Sequence, residues 1–125
     1  MWLVTTIGFF SVVQKPGEAQ LTVRARVAAD LDRLREHYLP ALSATVANAG
    51  TDYPFRARVS RQAFSEAMAK MAGDIDYANF KNEVTKVSGK GRTGIYNGVG
   101  TELLALEQSE PVAAARLIKQ TVSKP

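Results

Sequence analysis

Two stretches of this chain, LTVRARVAADL at residues 21–31 and YPFRARVSRQAF at residues 53–64, share the tetrapeptide RARV and the same change of period. Within each copy apolar and basic residues alternate, and just after it the apolar residues take up helical spacing. Alternation of period two marks a strand with one buried face, because successive side chains point to opposite sides of the sheet. Leu21, Val23, Ala25 and Val27 fall on one side, with Thr22, Arg24 and Arg26 on the other; in the second copy Phe55, Ala57 and Val59 oppose Arg56 and Arg58. A helix that follows directly folds back over the apolar side, so the arginines are left uncovered. If both strands lie in one sheet, four guanidiniums share a face and repel one another unless an anion, carboxylates or solvent screens them. The plain alternative is a solvated sheet face, with Glu18 or Asp52 as partners.

The flanking sequence extends this pattern. Residues 2–14 are rich in Val, Ile, Thr, Phe and Trp and read as strand, with Gly8 marking a bulge or bend that divides it. Lys15-Pro16-Gly17-Glu18 is a turn signal, so residues 21–27 return as the second arm of a hairpin. Leu31, Leu34 and Tyr38 line one face of a helix that Pro40 closes, and Asp30 or Asp32 suits the positive end of its dipole. Residues 41–53 read as irregular. Ser60 is placed to cap a second helix bearing Ala63, Phe64, Ala67, Met68 and Met71, which Gly73 ends. Asp74 or Asp76 opens a third helix with Tyr77, Phe80, Val84 and Val87, and Gly89 stops it. LLALEQ reads as helical, Pro111 suits the first turn of a last helix through Ile118, and the tail at 122–125 frays. The expected fold is α+β: a small, mostly antiparallel sheet of three or four strands, covered on one face by helices, with a helical C-terminal half.

With 125 residues, 46% of them apolar, one domain over residues 1–125 has material for a core. The 16 Lys and Arg against 12 Asp and Glu give a net charge of +4, compatible with a nucleic-acid, phosphate-rich or acidic protein partner. No Cys is present, which excludes thiol catalysis, Cys-ligated zinc and disulfides. His37 is the only histidine, so no two-histidine metal site or acid–base His pair forms within one chain, and no GxSxG accompanies it. Its place at a helix end fits an imidazolium meeting the dipole. The apolar start lacks a basic n-region and is too short to span a bilayer, which favours a buried strand, a cytoplasmic location and no membrane.

A second basic stretch, KVSGKGRTGIYNGVG at residues 86–100, reads as a Gly-rich loop between helices, where Lys90 and Arg92 add charge beside backbone N–H groups. It is not a Walker A loop. Its Gly91–Gly94 spacing is similar to the helix–GXXG–helix of KH domains, although no strands follow as that fold requires. The plain alternative is a C-capping glycine followed by a solvated loop. Asp74 and Asp76, near Asn79 and Glu83, are explained by helix capping, so no metal and no cofactor is expected. Tyr53, Tyr77 and Tyr96 have the spacing of core aromatics or of stacking platforms.

The motifs MWLVTTIGFFSVVQKPG, LTVRARV, TDYPFRARVS and DIDYANFKNEV resemble a family of short, uncharacterised bacterial proteins. The resemblance implies a bacterial or mobile-element source and a soluble single domain. It carries no established activity and no site residues, and the region from Gly94 onward departs from it.

The functional expectation is non-enzymatic binding of nucleic acid or another phosphate-rich ligand through Arg24, Arg26, Arg56, Arg58, Lys90 and Arg92. The alternative is a protein-interaction or regulatory module, with an acidic partner or self-associating through the sheet as a homo-oligomer. A small hydrolase working through Asp52, Tyr53 or His37 is the reading the residue census favours least.

Overall fold

A computed structural model describes residues 1–48 and 50–109. The chain runs β1 (Trp2–Val4), β2 (Phe9–Val13), β3 (Leu21–Ala25), α1 (Ala28–His37), β4 (Val46–Ala47), β5 (Phe55–Val59), α2 (Arg61–Gly73), α3 (Phe80–Ser88), α4 (Lys90–Leu103) and α5 (Ala105–Ser109). The strands form one antiparallel sheet in the order β1-β2-β3-β5-β4, five strands where the sequence indicated three or four. The fifth is β4, whose two residues lie in the stretch read as irregular; it is too short to carry an alternation of its own.

The two RARV copies are neighbours. Strands β3 and β5 pair in the register Leu21↔Val59, Val23↔Ala57 and Ala25↔Phe55, which places the apolar residues of both on the same side. Helices α1 and α2 cover that side. Val23, Phe10, Leu31, Leu34 and Val59 are shielded almost completely, and Phe64 and Ala67 of α2 complete the layer. Each large side chain withdrawn in this way contributes roughly 1.5–3 kcal/mol relative to exposure.

Local chemistry sets most of the boundaries. Gly17, at a φ of 78°, allows the tight turn between β2 and β3. Ser60 Oγ accepts from the Ala63 N–H at 3.1 Å and so starts α2. The third helix starts later than Asp74 or Asp76. The Asp74 N–H instead bonds back to the last turn of α2, and Asn79 caps α3 through the Asn82 N–H. The stretch read as a basic glycine loop is corrected more strongly, since Lys90–Leu103 is helix and only Gly89, at φ 92°, breaks the chain between α3 and α4. Gly91 and Gly94 lie inside α4, so no GXXG loop separates two helices. Glycine in a helix is unfavourable by about 1 kcal/mol relative to alanine, and anchoring of Arg92 and Tyr96 to the rest of the molecule offsets this. The sequence-based helix from Pro111 to Ile118 and the tail at 122–125 lie outside the described residues. Among the described residues no helix is long and apolar enough to cross a membrane.

Candidate anion-binding face

On the uncovered side of the sheet Arg24 stands directly opposite Arg56, and Arg58 opposite Thr22. Like charges facing across an antiparallel pair destabilise it unless something compensates. Arg26 lies just past the end of β3 and still turns to the same place. That place is Tyr53, two residues before β5. Tyr53 is only 6% exposed.

Three arginines gather on Tyr53. The guanidinium carbons of Arg24 and Arg26 lie 4.6 and 4.7 Å from the ring centroid, within cation–π range. Arg56 Nε donates to the Tyr53 carbonyl at 3.3 Å, and Thr51 Oγ1 donates to the same oxygen at 2.8 Å. Arg24 donates to Ser11 Oγ at 2.6 Å, while Arg26 donates to the Asp52 main-chain carbonyl, not its carboxylate, at 2.8 Å. Among the described residues none of these three forms an ion pair. Arg58 differs, pairing with Glu18 at 3.1 Å. Beneath the cluster, Arg24 Nε and Thr22 Oγ1 are buried without a hydrogen-bond partner among the described residues, an uncommon state for buried polar atoms.

Aromatic rings continue the face toward the β1 edge. Phe9 lies 6.4 Å from Tyr53, and Trp2 packs edge-on against Phe9 at 5.5 Å. Trp2 is 68% exposed on an edge strand. The exposed tryptophan was not legible as a surface group, because a strand-like run carries no mark of which end lies at a sheet edge.

The remaining two basic candidates are not part of this face. Arg92 grips Asp30 in a two-pronged pair, Nη1 to Oδ2 and Nη2 to Oδ1, both at 2.8 Å. Asp30 is 2% exposed in the first turn of α1 and also accepts from Arg33 at 2.8 Å and from the Phe9 N–H at 3.0 Å. Burial alone raises the Asp30 pKa. The Arg92 bonds and charge, the Phe9 N–H and Arg33 outweigh it, and the net shift is downward. Asp30 in turn raises the Arg92 pKa further. Gly8 makes room for this carboxylate, since a Cβ there would sit 2.6 Å from Asp30 Cγ. Ser88 Oγ donates to the Thr6 carbonyl and accepts from Arg33, and Tyr96 Oη donates to the Thr5 carbonyl at 3.0 Å. Together these bonds fasten the α3–α4 pair to the β1–β2 turn. Lys90 is exposed at the start of α4 and forms no described side-chain bond.

No family model, curated protein or solved structure matches this chain, so the geometry stands without a relative to interpret it.

Proposed function

We propose that the open sheet face binds nucleic acid, with single strands as the best fit, and does so without catalysing a reaction. The observation that carries this reading is the convergence of Arg24, Arg26 and Arg56 on Tyr53 with no ion-pairing carboxylate among the described residues. Guanidiniums held close together without counter-charge favour an anion bearing several oxygens, and phosphate accepts their paired donors well. Trp2 and Phe9 extend the same face with rings on which unpaired bases stack, each such contact contributing about 1–3 kcal/mol. Arg58 enters only by exchanging Glu18 for phosphate. Lys90 and Arg92 are left out of the proposal, Arg92 because its charge is already paired with the Asp30 carboxylate.

The test is fluorescence titration with single-stranded oligonucleotides, which the lone tryptophan, Trp2, reports directly. Quenching at about 50 mM salt that weakens steeply as salt rises is the expected result. No binding under that condition refutes the proposal. Equal affinity for inorganic polyphosphate would replace nucleic acid with a general polyanion.

A second reading, self-association through the sheet, is favoured by the exposure of Trp2 on edge strand β1. Sedimentation separates the two: a concentration-dependent dimer that Trp2→Lys abolishes supports it.

A further inference from the structure

A groove of about 450 Å³ that shares no lining residue with the arginine cluster lies where the β1–β2 turn meets the C-terminal ends of α1 and α2 and the start of α3. That volume accommodates one small organic molecule. Its apolar wall comes from Met68, Met71, Ile75, Tyr77 and Phe80. Phe80 is braced behind by Tyr96, stacked at 5.9 Å, and Tyr77 tilts against it at 6.4 Å.

The charged lining is mostly acidic, with His37 its one basic side chain. Asp74 and Glu83 contribute carboxylates, His37 and Tyr38 contribute their side chains, and no Lys or Arg is present among the lining residues. This stands out in a chain of net charge +4. Two helices also end here, α1 at His37 and α2 at Gly73, and a helix C-terminus carries partial negative charge. Tyr38 Oη donates to Asp74 Oδ2 at 2.7 Å. Burial first, and Asp74 second, push the Tyr38 phenol up to about 12, so it remains a donor to the Asp74 carboxylate. Aromatic faces and thioethers beside carboxylates recognise a cation with apolar substituents, because the rings attract charge that their surroundings do not hydrate.

We propose that this groove binds a small organic cation, an ammonium group carrying an apolar body, with Asp74 and Glu83 supplying the charge and Tyr77 and Phe80 the rings. The site is separate from the sheet face and does not depend on what binds there. It takes a free small molecule, since its volume suits one such group with its substituents.

Three probes test it: benzyltrimethylammonium, choline, and neohexyl alcohol, the uncharged isostere of choline. The only methionines are Met1, Met68 and Met71, so two of the three methyl resonances report on the groove. Both cations are expected to shift the Met68 and Met71 methyl signals saturably, with choline binding at least about tenfold more tightly than neohexyl alcohol. Asp74→Asn with Glu83→Gln should weaken both cations by about tenfold, whereas Glu66→Gln, on α2 outside the groove, should leave them unchanged. Equal binding of the alcohol, an unaltered double variant, or methyl signals that stay put at saturating cation would each overturn the proposal. Phe80→Leu keeps the groove apolar while removing a ring, and should by itself lower cation affinity without altering that of the alcohol.

Discussion

The Asp30 cluster and the Tyr53 cluster use the same side chain in opposite ways. At Asp30 two arginines converge on one buried carboxylate, and nearly every donor and acceptor is matched. At Tyr53 three arginines converge on a ring and two main-chain carbonyls, and no counter-charge is present among the described residues. In the first arrangement the chain supplies the acid itself, which makes it a structural clasp. The second has no counter-charge among the described residues, and the proposed function has an anion from outside supply it. Convergence of arginines is thus not in itself a sign of a binding surface. What distinguishes the two is whether the protein also supplies the acid.

The contrast should be clearest in stability. Asp30→Ala leaves Arg92 and Arg33 without their acid in a half-buried setting, and should destabilise by about 3–5 kcal/mol in urea unfolding. A loss under about 1 kcal/mol would mean the cluster is not a structural clasp. Gly8→Ala forces a methyl against the same carboxylate and should remove about 1–3 kcal/mol. At the other cluster, Arg24→Ala or Arg56→Ala relieves two facing charges, so stability should change by no more than about 0.5–1 kcal/mol. Each of those changes should instead lower oligonucleotide affinity and reduce the slope of its salt dependence by about 1, an effect Arg92→Ala should not reproduce.

The smallest effect concerns pH. The Asp30 pKa is depressed below 3.8 on folding, so its contribution is present above that value and disappears as pH falls through the folded pKa. Asp30→Asn should therefore flatten the acid limb of the stability curve below about pH 4 while leaving Tyr53 and its arginines unaffected. An unchanged acid limb would show that other carboxylates dominate.

Several features were legible residue by residue. The alternation in both RARV copies assigned Val23 and Ala57 to the core and Arg24 and Arg56 to the other face, because side-chain direction in a strand follows directly from sequence position. Ser60 marked the start of α2 through capping chemistry that acts within one turn, and Gly73 is the last residue of that helix. Lys90–Leu103 was misread because its four glycines speak against a helix locally, whereas the contacts of Arg92 with Asp30 and of Tyr96 with Thr5 join residues 62 and 91 positions apart. Tyr53 carried only the ambiguity of any strand-edge aromatic until the register brought Arg24 and Arg26 onto its ring.

The order of residues by itself determined the α+β class, the two-sided character of the central strands and the placing of arginines opposite the apolar side of each, since these depend on period and local capping. Only the tertiary structure decided which arginines acquire a carboxylate. That choice rests on long-range pairing, in which Asp30, 62 residues from Arg92, accepts from both of its Nη groups, while the face around Tyr53 receives no carboxylate among the described residues. Charge counts along a chain carry no distance, and it is distance that separates a clasp from an arginine cluster without its acid.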